Sequence, residues 1–467
     1  MRKPAPGKLD RGLVSPRHML QDSPGLRARR IALEILLRVE ADRAFADVLL
    51  GHRLAELDAR ADRGLVTQLV LGTLAWQGRL DYELARLSSR PLAGLDPRVR
   101  ALLRMGLYQL RRLTRIPSHA AVDTAVRLAN EKRSGDGASG FVNAILRTAI
   151  RTPASLPERA GGEMHYLAVA YSHPPWLVAK FVEWFGVDEA EALMAANNLA
   201  APNAIRLNLR RGSAAELTAR LEHDAMVIAG RGLFPETLII GGAAWPDCDA
   251  FRDGLFTPQA EASQIVVRLL APPPGATVVD CAAAPGGKST HLAELVGSQG
   301  QVIALDLNLA GLKQVRSAAT RLRHGNVHVA RSDSSRAIPI RKGSANYVLL
   351  DAPCTGLGTL REHPEIRWRV VPNDFARMAH LQLAMIEQAA ALLAPSGVLV
   401  YAVCSLAPEE GAGVVNDFLA HHSDFLIDPP NRSPLFALID ADGFLRTRPD
   451  RASRDGFFAA RLKRRAW

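Results

Sequence analysis

Two cysteines that each follow an apolar, β-type segment are the residues of this chain best suited to covalent chemistry. Cys354 closes the segment 348–354, and Cys404 closes the segment 398–404. A thiolate is a strong nucleophile, and the carboxyl ends of strands in a doubly wound sheet face the crevice where ligands bind. We therefore predict that Cys354 and Cys404 are reactive groups of one site.

A short loop rich in alanine and glycine follows an apolar, β-type segment at 276–280 and precedes a predicted helix. This arrangement predicts a cofactor site. The loop consists of Ala282, Ala283, Ala284, Pro285, Gly286, Gly287 and Lys288. The loop lacks both the glycine spacing of a dinucleotide fingerprint and the first glycine of a Walker A loop. Asp306 is placed to accept hydrogen bonds from ribose hydroxyls, and Asp333 from an adenine amino group. A pocket lined with carboxylates repels a pyrophosphate but suits a nucleoside with a cationic sulfonium, so S-adenosylmethionine is favoured over NAD or ATP.

Together, the thiols and this pocket indicate methylation of cytosine at carbon 5. Carbon 5 is a poor nucleophile until a thiolate adds to carbon 6, after which the ring is an enamine that can attack the sulfonium methyl. Asp351, just before Cys354, is placed to hydrogen-bond N3 and ease that addition. Loss of the carbon-5 proton then expels the cysteine.

An alternation of strands and helices is predicted to position these groups. Strands are predicted at 276–280, 301–306, 326–331, 346–351 and 397–403, and helices at 287–296, 309–323 and 375–393. This order is typical of a parallel, doubly wound α/β sheet of Rossmann-like topology. The predicted strands bring Asp280, Asp306, Asp333 and Asp351 to the same rim as the two cysteines.

The rest of the chain is predicted to form three further regions before this α/β domain of residues 256–467. Residues 1–25 are a basic, proline-rich leader that we expect to be disordered, and residues 26–150 are an all-α domain. Residues 151–255 combine a linker with a small α+β domain. An arginine row between Arg98 and Arg115 favours RNA contact by the helical domain. For the basic residues from Arg461 to Arg465, phosphate contact and solvation remain alternatives.

Composition is that of a globular enzyme with a basic surface. The 467 residues carry a formal charge of +11, which attracts polyanions but does not by itself indicate nucleic acid. The four cysteines include no C-x-x-C pair, so neither a zinc site nor a disulfide framework is expected, and Cys248 and Cys281 are assigned to packing. Reduced thiols, with no signal peptide or membrane span, predict a cytoplasmic protein.

Four segments of the α/β domain resemble successive motifs of the RNA cytosine-C5 methyltransferases. These segments are 280–288, 351–356, 361–368 and 401–410. The helical region resembles the NusB-like RNA-binding domain, a pairing similar to the bacterial 16S rRNA methyltransferase B subgroup. The resemblance implies that Cys404 is the nucleophile, that Cys354 helps to release the product, and that the loop 282–288 with Asp306, Asp333 and Asp351 binds S-adenosylmethionine. It also implies 16S rRNA as the partner, and we expect a monomer.

Several positions depart from the family pattern, and several alternatives stay open. Val403 stands where a threonine usually precedes the nucleophile, and Ala282 where the loop often has a cysteine. The same chemistry on tRNA or another rRNA position is an alternative function, as is a non-catalytic RNA-binding factor of ribosome assembly. His363 and Trp368 either position RNA or form a packed turn. Because the target base must leave any stack, a single-stranded or loop cytosine is expected.

Overall fold

The computed structural model describes residues 25–131, 137–241, 248–430, 434–452 and 454–466. The predicted basic leader, apart from Gly25, lies outside the described residues. None of the helices within the described ranges is long and apolar enough to cross a membrane.

The N-terminal domain is all-α, as predicted, and its described residues contain seven α-helices. They are α1 (Leu26–Ala41), α2 (Ala46–Arg53), α3 (Arg60–Ala75), α4 (Gln77–Leu87), α5 (Pro97–Arg112), α6 (Ser118–Glu131) and α7 (Ala138–Arg151). The start of α5 follows from its first residues: the Asp96 carboxylate accepts hydrogen bonds from the backbone N–H of Arg98 and Val99, and Pro97 occupies the first helical position. The leucines and valines that face inward from α1, α3, α5 and α7 make a single buried core.

The arginines of α5 are committed to contacts within the domain. Arg104 makes a bidentate pair with Asp81, with N–O distances of 2.7 and 2.8 Å. The guanidinium of Arg112 lies 3.5 Å from the centroid of the Trp76 ring. Two further arginines of this helix pair with glutamates of α1 and α4. These contacts orient the row within the domain, and RNA contact by the row stays a prediction.

A small α+β domain follows the helical one. Its elements are α8 (Glu163–Ala170), α9 (Pro175–Phe185), α10 (Val187–Ala196), β1 (Asn203–Leu207), α11 (Ala214–His223), β2 (Val227–Arg231), β3 (Thr237–Gly241), α12 (Asp249–Arg252) and β4 (Phe256–Pro258). The four strands form an antiparallel sheet in the order β2-β3-β1-β4. Because β4 pairs with β1, this sheet ends just past residue 255.

The C-terminal domain is the predicted α/β sheet. Its elements are α13 (Glu261–Leu270), β5 (Thr277–Asp280), α14 (Gly287–Val296), β6 (Gln301–Asp306), α15 (Leu309–Arg321), β7 (Val327–Arg331), β8 (Ala345–Asp351), α16 (Asn373–Ala391), β9 (Leu393–Val403), α17 (Val414–His421), β10 (Phe425–Ile427), β11 (Leu445–Thr447) and β12 (Phe457–Arg464). The strand order is β10-β12-β9-β8-β5-β6-β7, with β11 paired to β12. The five predicted strands are confirmed and run parallel to one another.

Three antiparallel strands at the end of the chain were not predicted. β12 pairs with β9 across six residues and carries β10 and β11 on its other edge. Its basic residues bind carboxylates of the same domain: Arg464 donates to Asp424 at 3.0 Å, and Arg461 pairs with Asp428. These two arginines are therefore not simply solvated, and their contact with phosphate stays an open alternative.

A buried arginine joins the small domain to the α/β domain. Arg206 of β1 is fully buried and donates to both carboxylate oxygens of Glu294 on α14, at 2.9 and 3.1 Å. It also donates to the Gly287 carbonyl at 2.8 Å, in the first turn of the same helix. Contacts from the small α+β domain thus fix the position of α14, the helix that follows the predicted cofactor loop.

We expect Arg206→Met to destabilise the protein by about 3–5 kcal/mol, because it leaves the Glu294 carboxylate buried without its cationic partner. Arg38→Met is the matched control, since the pair of Arg38 with Asp42 is solvent-exposed and contributes less than about 1 kcal/mol. Urea unfolding followed by circular dichroism measures both variants. Equal urea midpoints for the two variants would contradict the proposal that Arg206 stabilises the contact between the two domains.

Candidate active site

The predicted reactive groups meet at the carboxyl end of the parallel sheet. A cleft of about 480 Å³, here called the first cleft, lies there, and its lining includes Ala282, Ala284, Asp306, Asp333, Asp351, Cys354 and Cys404. These residues come from the ends of β5, β6, β7, β8 and β9, which explains why residues far apart in sequence share one cleft. The other residues of the loop, at 283 and 285–288, are not among the described lining residues, and their contact with a cofactor stays a prediction.

The predicted cofactor loop, residues 282–288, contacts the end of β6 on one side and α15 on the other. The backbone N–H of Ala284 donates to Asp306 at 2.9 Å, which ties the loop to the end of β6. Gly286 has a φ of 111°, and a Cβ built there would lie 2.8 Å from the Cα of Val315 on α15. Only glycine fits this close approach of loop to helix.

The carboxylates at the far side of the cleft suit a nucleoside. Asp306 is fixed by backbone N–H groups, including that of Asn308 at 2.8 Å. Asp333 accepts from the Ser335 hydroxyl at 2.6 Å and the Ser335 N–H at 3.0 Å, and these bonds lower the pKa of Asp333. An anionic, acceptor-rich wall beside a glycine loop fits the hydroxyls, amino group and cationic sulfonium of S-adenosylmethionine.

Asp280 departs from the prediction that it lies at the rim with the other acids. Its side chain is fully buried beneath the loop, where it accepts from the Ser289 hydroxyl at 2.6 Å. Burial raises the pKa of Asp280 to about 6 despite that hydrogen bond. Asp280 therefore supports the loop and does not line the cleft.

Lys288 of the predicted cofactor loop forms an ion pair with Asp351, a residue that lines the first cleft. Its ammonium lies 2.6 Å from Asp351 and donates to the Ser263 hydroxyl at 3.2 Å. Burial would lower the pKa of Lys288, but attraction to Asp351, together with the nearby Cys404, raises it, so the side chain is cationic. The sequence contains the lysine but gives no sign of where its side chain points.

The two thiols are neighbours. The Sγ atoms of Cys354 and Cys404 lie 3.3 Å apart, and both cysteines are free. The hydrogen bond to Cys404, together with burial, raises the pKa of Cys354 well above its ordinary value. The close contact between the thiols therefore favours the protonated form of Cys354.

A buried glutamate that sequence reasoning did not single out holds both cysteine loops. The Glu410 carboxylate accepts from the Thr355 N–H at 2.8 Å and from the hydroxyls of Thr355 and Ser405, each at 2.5 Å. Gln382 of α16 donates to it at 3.1 Å. Thr355 and Ser405 directly follow the two cysteines, so Glu410 fixes their relative position. The one available signal was its place in the Glu409-Glu410 segment that follows Cys404.

A second cleft reaches the thiols from the side of the N-terminal domain. We call it the outer cleft; its lining includes Arg43, Phe45, Cys354, His363, Arg369, Arg377 and Cys404. The two thiols also line the first cleft. They are thus accessible from two directions, one suited to a cofactor and the other to a second substrate.

Three family profiles match successive parts of the chain. They are the NusB family over residues 26–151, a ferredoxin-like domain of the RsmF/B-like methyltransferases over 173–244, and the 16S rRNA methyltransferase RsmB/F family over 267–463. The predicted order of a NusB-like domain, a small α+β domain and a methyltransferase domain is thereby confirmed.

Curated relatives match along almost the whole chain. A ribosomal RNA small subunit methyltransferase B from Thermus thermophilus is 38% identical over 93% of this chain and 97% of its own length. A probable enzyme of the same name from Bacillus subtilis is 32% identical over 94% of this chain and 98% of its own length. The crystal structure of PH0851 is 28% identical, with a TM-score of 0.81 over 95% of this chain and 99% of that one. The chain therefore belongs to the ribosomal RNA small subunit methyltransferase B family, a family of S-adenosylmethionine-dependent RNA methyltransferases.

Proposed function

We propose that the enzyme methylates carbon 5 of a cytosine in 16S rRNA through a covalent bond between Cys404 and carbon 6. The observation that carries this proposal is the pair of free thiols 3.3 Å apart where the two clefts meet. Transfer of a methyl group to an exocyclic amine or a ribose hydroxyl has no use for a nucleophilic thiol. Addition to a pyrimidine ring requires one.

The first step is attack of the Cys404 thiolate on carbon 6 of the flipped cytosine. The cationic Lys288 stabilises the thiolate before attack. As N3 accepts electron density it takes up a proton from solvent, and the Asp351 carboxylate is placed to accept a hydrogen bond from the new N3–H. The new S–C6 bond makes carbon 5 nucleophilic. When bound in the first cleft, S-adenosylmethionine supplies the electrophilic methyl group.

Product release breaks the S–C6 bond. Once the Cys404 sulfur is bonded to carbon it is no longer an anion, so the charge that kept Cys354 protonated is gone. Cys354 then loses its proton to solvent, and its thiolate accepts the proton from carbon 5. The electron pair of that C–H bond restores the ring double bond and expels Cys404 as a thiolate, and N3 returns its proton to solvent. The raised pKa of Cys354 in the resting pair is consistent with this order of events.

The proposed substrate is a cytosine in a single strand or loop of 16S rRNA, bound by a monomeric enzyme. The family profile and the names of the curated relatives support small-subunit rRNA. Reaching thiols that lie inside a cleft requires the base to leave its stack, which is easiest in unpaired RNA. Transfer to tRNA would keep the mechanism and change the substrate. A non-catalytic assembly factor would bind RNA without methyl transfer.

We expect Cys404→Ala to abolish methyl transfer to 16S rRNA and Cys354→Ala to leave RNA covalently attached to the protein. The first variant lacks the nucleophile, and the second lacks the group that accepts the carbon-5 proton. Labelled methyl transfer from S-adenosylmethionine and a gel-shift assay under denaturing conditions measure the two outcomes. Cys248→Ala is the matched control. Full activity of Cys404→Ala would refute its assigned role, and label on tRNA alone would overturn the substrate.

We expect Glu410→Ala to lower kcat about 100-fold while leaving S-adenosylmethionine affinity unchanged, because the two thiols lose their common anchor. Glu410→Gln retains part of the hydrogen bonding and should recover part of kcat. Glu409→Gln is the control, since neither cysteine loop is among the described contacts of Glu409. Single-turnover kinetics and equilibrium cofactor binding provide the measurements. An unchanged kcat in the alanine variant would exclude the positioning role.

A further inference from the structure

We propose that Phe45 of the N-terminal domain stacks a base of the RNA strand beside the target cytosine. The inference rests on the proposed function and extends the substrate site to a domain that supplies neither thiol. Three sets of observations support it: how the loop of Phe45 is held, where its ring lies, and which charges surround it.

The loop between α1 and α2 is fixed to the catalytic domain by two charged side chains. Glu365 is buried and accepts from the N–H of Ala46, the first residue of α2, at 3.0 Å. Arg369 donates to the carbonyls of Val39 at 3.1 Å and Ala44 at 2.6 Å, at the end of α1 and just beyond it. A carboxylate at a helix start and a guanidinium at a helix end both match the helix dipole.

The neighbouring tryptophan strengthens the same junction. The indole N–H of Trp368 donates to the Leu74 carbonyl at 3.3 Å, and its ring packs so closely on Gly78 that a Cβ there would lie 2.7 Å away. Of the two alternatives for Trp368, the packed turn is therefore the one observed. Phe45 is consequently carried at a fixed position relative to the thiols.

The ring of Phe45 is a half-exposed aromatic inside the outer cleft. It is 50% exposed and lines that cleft together with Cys354 and Cys404. Its edge meets His363, with ring centroids 6.3 Å apart and planes at 79°, and the Arg369 guanidinium lies 5.3 Å from its centroid. Every nucleobase has a π-face that stacks on such a ring, so an aromatic platform suits a single strand of any sequence.

The charges around the ring suit a phosphate backbone. Arg43, Arg369 and Arg377 line the outer cleft, and Asp374 is the one carboxylate among its described lining residues. Arg377 pairs with Asp374 at 2.8 Å but leaves 67% of its side chain exposed. An apolar ring amid a surplus of arginine fits nucleic acid better than an apolar protein partner.

The test is the affinity of the full chain for fluorescein-labelled oligocytidylate, measured by fluorescence anisotropy. We expect Phe45→Ala to weaken binding about 10-fold or more, as loss of one base stack does, and Phe45→Trp to retain most of the affinity. Phe436→Ala is the matched control, because Phe436 is 64% exposed and does not line the outer cleft. Arg377→Gln should reduce the slope of log affinity against log salt by about 0.7, whereas Phe45→Ala should leave the slope unchanged.

Two results would overturn the inference. One is wild-type affinity in Phe45→Ala, and the other is an equal loss in Phe45→Ala and Phe45→Trp with unchanged melting temperature. The latter would indicate a shape requirement and no stacking. Because binding is measured without catalysis, failure of the proposed function gives a different pattern: RNA binds and responds to Phe45, yet no methyl group is transferred to any RNA.

Discussion

The contact between two free thiols, with sulfur atoms 3.3 Å apart, is the interaction around which the proposed catalytic centre is arranged. This contact, together with burial, raises the pKa of Cys354 well above its ordinary value. Lys288 supplies the nearby cation, and Asp351 balances it at 2.6 Å. Glu410 accepts hydrogen bonds from Thr355 and Ser405, which follow the two cysteines, and so fixes the distance between the thiols.

The hydrogen bonds of Glu410 determine how the thiols at the ends of β8 and β9 are placed relative to each other. Cys354 follows β8 and Cys404 follows β9, so their backbones are already adjacent through parallel strand pairing. Strand pairing alone does not set the separation of two side chains beyond the strand ends. That separation is set where Thr355 and Ser405 converge on one buried carboxylate. The sheet therefore brings the thiols near one another, and the carboxylate fixes how near.

The α/β domain was predictable because its strands are apolar runs with clear ends, and the site residues sit where those runs stop. The antiparallel strand β12 was missed because Arg461, Lys463 and Arg464 give it the appearance of a basic tail, although two of these side chains have partners within the domain. Glu410 and Glu365 were missed as contributors, and the ion pair of Lys288 with Asp351 was not predicted, for a different reason. Their partners lie far away in sequence, and only the folded chain shows which polar groups meet. Asp280 was misplaced because a strand end does not reveal whether its side chain points up into the cleft or down beneath the loop.

The central claim is that Cys404, and not Cys354, bonds to the RNA. The most direct test uses RNA containing 5-fluorocytosine, in which carbon 5 has no proton to lose, so the adduct cannot resolve after methyl transfer. Digestion of the trapped complex and mass spectrometry of the peptides then locate the modified cysteine. If Cys404 is the nucleophile, we expect a methylated nucleotide adduct on the peptide that contains Cys404. An adduct on the Cys354 peptide would contradict that assignment.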